Sequence, residues 1–99
     1  MRYARNDRFI IRDGKADEFH RLMDAEVLPL LKNAKGFRDD LTLLIDNLGM
    51  SISVWDDVAS AERYRTDIRP EVLERLRAVL ATTQRVAAHE DVLTARQNA

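Results

Sequence analysis

The sequence predicts an α+β domain in the order β-α-β-β-α-β, an antiparallel sheet with helices on one face. Three observations carry that prediction. Met50, Ile52 and Val54 alternate with Ser51, Ser53 and Trp55, the period of a half-buried strand. Asp56-Asp57 follow at once, carboxylates suited to the free N–H groups that open a helix. Asp46-Asn47-Leu48-Gly49 joins this strand to an earlier one by a short polar turn, which makes an antiparallel hairpin, and a helical period lies on either side of that hairpin. The resulting order is the split βαβ arrangement of ferredoxin-like folds.

Tyr3 to Arg12 reads as the first strand. Its odd positions are Tyr3, Arg5, Asp7, Phe9 and Ile11, and its even ones Ala4, Asn6, Arg8, Ile10 and Arg12. Asp13-Gly14 is a turn signal. From Lys15 to Lys32 a helical stripe follows, made by Ala16, Phe19, Met23, Val27 and Leu30, with Leu22 and Leu31 at its margins. Pro29 lies inside the stripe, removes a backbone donor and crowds the preceding turn, so a bend or break is expected near Leu28. Gly36 is the expected stop.

Phe37 to Asp46 is the second strand, with Asp39, Leu41, Leu43 and Ile45 on one face and Arg38, Asp40, Thr42 and Leu44 on the other. The third is Met50 to Trp55. A helix runs from Asp57 through Ala61, Tyr64 and Ile68 until Arg69-Pro70 interrupts it. Pro70 suits the first residue of a further helix, whose apolar stripe is Val72, Leu73, Leu76, Val79 and Leu80. Gln84 to Ala95 is the fourth strand candidate, and Arg96 to Ala99 are expected to fray. Residues 3–95 thus make one domain.

Charged residues form one third of the 99 and nearly cancel, to a formal net charge of −1. That balance leaves no electrostatic footprint for nucleic acid or an anionic membrane. With no cysteine, disulfides, thiolate metal sites and a cysteine nucleophile are excluded. His20 and His89 lack metal-ligand spacing, and there is no Gly-rich phosphate loop or Gly-x-Ser-x-Gly elbow, so no metal or other cofactor is expected. The charged N-terminus lacks the apolar core of a signal peptide, and no apolar run reaches membrane-spanning length. A soluble cytoplasmic protein is the expectation.

Two helical segments can cover only one face of a four-stranded sheet. The opposite face is expected to carry Ala4, Ile10, Thr42, Leu44, Ser53 and Trp55, too apolar to leave to water. A homodimer packed through that sheet face is the expected way to bury it.

The whole-chain pattern resembles the antibiotic biosynthesis monooxygenase family of dimeric α/β-barrel proteins. The likeness rests on Gly14-Lys-Ala-Asp-Glu-Phe19, Leu28-Pro-Leu-Leu31, Gly36-Phe37 and Ser51-Ile-Ser-Val-Trp55-Asp-Asp, in that order and spacing. It implies a ferredoxin-like dimer, in a family that includes cofactor-independent oxygenases of phenols and quinols, haem-degrading enzymes and many members with no assigned role. Haem-degrading relatives use an asparagine on the first strand, a tryptophan early in the second helix and a histidine further along. Matched on Gly14 and Trp55, Asp7 stands at the asparagine position, with Asn6 one residue away in the wrong phase. Tyr64 stands at the tryptophan position, and no histidine lies between His20 and His89. Haem degradation is therefore disfavoured.

The candidate catalytic residues are Asp7, His20 and Tyr64. A carboxylate at Asp7, on the face of Phe9 and Ile11, would have its pKa raised by an apolar pocket and act as a general base. The competing reading is a strand-end carboxylate paired with an arginine. His20, beside Phe19 and Met23, is either a second proton-exchange group or an ordinary boundary residue. Tyr64 would orient a phenolic substrate or partner Asp7, or else fill the core with its hydroxyl on a backbone acceptor. Asn6, Met23, Trp55 and Asp39 complete the predicted substrate-binding set. Trp55 is read as an apolar wall at the dimer contact or pocket floor, and Asp39 as facing the interior or exposed at the strand start. His89 is expected at the surface.

Three functions compete. The first is oxygenation of a small electron-rich aromatic without metal or flavin, in which Asp7 or His20 deprotonates the substrate so that its anion can pass an electron to dioxygen. The second is a small-molecule-binding or stress-associated dimer without turnover. The third is an isomerase or cyclase that uses Asp7 and His20 as an acid/base pair and consumes no oxygen.

Overall fold

The computed structural model describes residues 2–81 and 88–95, the latter as backbone alone. Strands β1 (Arg2–Ile10), β2 (Phe37–Ile45), β3 (Leu48–Trp55) and β4 (Ala88–Ala95) form one sheet in the order β2-β3-β1-β4. All three pairings are antiparallel, and with the helices between them this is the predicted ferredoxin-like α+β topology. The expected strand residues Gln84–Ala87 and the expected frayed end Arg96–Ala99 lie outside the described residues. Ile45 pairs with Leu48, so the hairpin closes in two residues, with Asp46 at φ 52, a left-handed position that aspartate tolerates. Among the described residues no helix is long and apolar enough to cross a membrane.

Neither proline breaks its helix. The first run is α1 (Ala16–Leu22), a π-helical turn (Met23–Val27) and α2 (Leu28–Lys32); the second is α3 (Val58–Arg63), a π-helical turn (Tyr64–Ile68) and α4 (Arg69–Leu76). Pro29 and Pro70 each stand second in the segment after a turn. Ahead of each proline the helix widens, so that the Leu28 N–H reaches Met23 O and the Arg69 N–H reaches Tyr64 O, five residues back.

The apolar spacing explains why both helices take this form. Phe19, Met23, Val27 and Leu31 recur every fourth residue and are all buried, and Tyr64, Ile68, Val72 and Leu76 repeat the spacing, with Ile68 partly buried. Four-residue steps in a plain α-helix drift by about 40° each, or about 120° over three steps. One wide turn absorbs an extra residue, about 100°, and keeps the whole stripe on the core. Asp57 caps the second run as its sequence predicts, its carboxylate accepting the Ser60 N–H at 2.8 Å.

The sheet face turned away from the helices differs from expectation. Phe37 pairs with Trp55 and Asp39 with Val54, so a bulge at Arg38 reverses the phase of β2. Thr42 and Leu44 therefore lie beneath the helices, where Ser53 and Trp55 join them as the β3 partners of Arg5 and Tyr3, and Trp55 is fully buried. The small residues Gly49, Ser51 and Ser53 of β3 share that inward face with Trp55, and at Gly49 the Phe19 ring already fills the space. A Cβ on Gly49 would stand 2.8 Å from the Phe19 ring. The outer face keeps the expected Ile10 and exposes Leu41, Leu43, Ile45 and Leu48 beside it.

Candidate functional site

Across β1, β3 and β2, four rungs of side chains face the helices. They are Tyr3–Trp55–Phe37, Arg5–Ser53–Asp40, Asp7–Ser51–Thr42 and Phe9–Gly49–Leu44. The outer two are apolar and the middle two polar, so a polar band crosses an otherwise hydrophobic layer. Trp55 anchors one border, its ring 5.5 Å from Phe37 and 5.1 Å from Tyr64, and its indole N–H donates to Ser53 Oγ at 2.9 Å. Arg5 is fully buried in the band; it donates to Ala61 O at 3.4 Å and lies 5.6 Å from the centroid of the Tyr64 ring.

At the centre of the band Asp7, 2% exposed, accepts two donors from the second helical run. Tyr64 OH donates to Oδ2 at 3.1 Å and Arg69 Nε to Oδ1 at 2.9 Å. In an α-helix these two residues, five apart, would diverge by about 140°. The π-turn that starts at Tyr64 brings them onto one face. Burial, then the negative charge of Asp7 and its hydrogen bond, hold the Tyr64 phenol well above its usual range, so it stays protonated and donates.

A second carboxylate stands one strand over. Asp40 Oδ1 accepts from Ser51 Oγ at 2.7 Å and Oδ2 from Thr42 Oγ1 at 3.0 Å. Burial lifts its carboxyl above the usual range; the two hydroxyls oppose that rise, and the charges of Asp39 and Asp7 add to it. Among the described residues no group of three or more metal-ligating side chains gathers.

Of the predicted catalytic residues, Asp7 and Tyr64 meet, and Asp7 is also paired with an arginine. His20 does not join them: it is exposed on α1 with its ring 5.8 Å from Phe19, and no described contact links it to Asp7. The predicted Asp7–His20 pair is therefore not assembled. Met23 is buried in the core, and Trp55 borders the polar band rather than a dimer contact. Asn6 lies on the outer face opposite Ile52, and its shielded Oδ1 has no hydrogen-bond partner among the described residues. Asp39 is exposed on the same outer face, because the bulge sends Asp40 inward in its place. His89 pairs through its backbone with Arg8, and its side chain lies outside the described residues.

Sequence reasoning missed Arg5, Arg69, Asp40, Thr42 and Ser51. The available signal was the alternation of small polar groups at Asp40, Thr42, Ser51 and Ser53 on the two arms of one hairpin.

Among solved structures, the chain overlays SnoaB, a cofactor-independent oxygenase from Streptomyces nogalater, with a TM-score of 0.74 at 23% identity. That match covers 98% of this chain and 95% of the other. A provisionally named antibiotic biosynthesis monooxygenase from Bordetella bronchiseptica gives 0.76 at 11% identity, over 97% and 98% of the two chains. The fold is that of the antibiotic biosynthesis monooxygenases. A protein of unknown function from Nitrosomonas europaea shares the monooxygenase fold equally well, with a TM-score of 0.74 at 14% identity over 99% and 95%. No family model and no curated protein matches the sequence. At these identities the likeness to the monooxygenases is one of fold.

Proposed function

We propose that the chain is a cofactor-independent oxygenase of a small phenol or quinol. The observation that carries this reading is the polar band held between two apolar rungs, with Tyr64 and Arg69 fixed on Asp7 at its centre. The likeness in fold to SnoaB supports it. The substrate hydroxyl gives its proton to a carboxylate of the band, and the resulting anion passes one electron to dioxygen. Superoxide and the ring radical combine at a ring carbon, and the carboxylate returns the proton to give a hydroperoxide. Loss of the proton on that carbon breaks the O–O bond, leaving a quinone carbonyl and one water. Trp55 and Phe9, on the flanking rungs, keep water from the anion, and Tyr64 and Arg69 orient the ring oxygen.

The working unit of this proposal is a homodimer joined through the outer sheet face. Leu41, Leu43, Ile45 and Leu48 support it, since a single copy leaves all four exposed. Oxygen uptake with a panel of phenols and quinols, in the presence of a chelator, tests the activity. Protein-dependent uptake matched by quinone is expected, and its absence across the panel would sink the reading. One observation favours a dimer that binds without turnover: both Asp7 oxygens are already taken by donors. Saturable binding of a phenol without product would support that alternative.

A further inference from the structure

We propose that Asp40, on the edge strand β2, is the carboxylate that takes the substrate proton, with Ser51 and Thr42 holding it in place. The proposal deepens the oxygenase reading and rests on it. Asp7 is the less suitable acceptor, because one of its oxygens is held by the Arg69 cation rather than by a neutral hydroxyl and its side chain is 3% exposed. His20 lies outside the band, and Asp39 is on the opposite face of the sheet.

Asp40 combines three properties that proton transfer needs. It is half-buried, so it is neither sealed off nor fully hydrated. Its two partners are neutral hydroxyls, one on each oxygen, and a carboxylate oxygen with two lone pairs keeps one acceptor position beside each of them. No cation forms a salt bridge with it among the described residues. The charged groups around it are Asp39 on its own strand, and Asp7 and Arg5 on β1. From β3 come the uncharged Ser51 and Ser53, and α2, packed on β2, has Lys32 as its one charged residue, which is exposed. A carboxylate with this surrounding holds a proton more readily than one in water, which is what a base working near neutral pH requires.

Asp40→Asn keeps the shape and its hydrogen-bond acceptor while removing the base. Two assays on the full chain separate the proposal from the reading beneath it. In the first, 4-nitrophenol, a weaker acid than a carboxyl and one with a coloured anion, is added just below its own pKa, so that Asp40 enters as the carboxylate. Wild type and the control Asp24→Asn, at an exposed residue of the first helical run, should convert the bound phenol to its anion, and Asp40→Asn should not. In the second, oxygen uptake by Asp40→Asn should show kcat reduced by about 100-fold with KM little changed, and the acid limb of its pH profile should disappear. Absence of the anion in wild type, or equal anion formation in Asp40→Asn, overturns the role of Asp40. Anion formation that depends on Asp40 but comes with no oxygen uptake overturns the oxygenase reading and leaves Asp40 as the proton acceptor. Where Asp40→Asn does not fold, carboxyl-carbon NMR of wild type during 4-nitrophenol addition decides between the same outcomes: the Asp40 signal moves to its protonated position, or the proposal fails.

Discussion

Asp7→Ala tests whether the centre of the site is also a support of the fold. The Asp7 side chain is 3% exposed and that of Arg69 16%, so solvent screens this pair little. Removing the carboxylate deprives Arg69 and the Tyr64 hydroxyl of their shared acceptor and takes an acidic group from the rung beside the buried Arg5. Breaking a buried pair from one side costs about 3–5 kcal/mol, a large part of the about 5–15 kcal/mol that holds a domain together. At about 4–8 °C per kcal/mol for a domain of this size, the midpoint should fall by about 12 °C or more. Tyr64→Phe removes only the hydroxyl and should cost about 1.5–3 kcal/mol, the range for a hydrogen bond to a charged group. Urea unfolding followed through Trp55, the single tryptophan, and by circular dichroism would rank the two. A cost for Asp7→Ala below about 1 kcal/mol, the range of an exposed ion pair, would refute the reasoning.

Three further outcomes are expected. Gly36→Ala should destabilise by more than about 1 kcal/mol, because Gly36 sits at φ +83 and a Cβ there would stand 2.5 Å from Ser60 Cβ; thermal unfolding measures it. Tyr64 keeps its proton in the folded state where the unfolded chain releases it near the ordinary value of 10.0, so stability is full below that pH and falls as pH rises past it. Tyr64→Phe should flatten that alkaline decline in urea midpoints measured across pH. Leu43→Glu, at a residue 41% exposed on the outer face, should convert a dimer to a folded monomer in sedimentation, and a monomeric wild type would end the dimer proposal.

The order of elements was legible because strand and helix periods differ plainly in this chain, and Asp57 stood where a cap belongs. The inward phase of β2 and β3 was not. A rule that puts apolar groups inward fails where Arg5 and Asp7 are buried, Asp40 is half-buried, and Leu41, Leu43 and Ile45 are exposed. The bulge at Arg38 then exchanges Asp39 for Asp40, a change that no residue pattern announces. Asp7 and Tyr64 could be found because each lay on a face already assigned to the interior. Arg69 could not, since in α-helical phase it points away from Tyr64. The four-residue spacing from Tyr64 to Leu76 held the clue, with Pro70 in its midst.

The widened turn at Tyr64–Ile68 behaves as an insertion that the helix has already absorbed. A chain lacking Thr66 would bring Arg69 to four positions after Tyr64, and a plain α-helix would still put both on one side, about 40° apart. Val72 and Leu76 would keep their places in the core. Alignments that hold to equal helix lengths would therefore misplace the arginine by one residue in any relative with the shorter helix. The pair that grips Asp7 is to be sought at either separation.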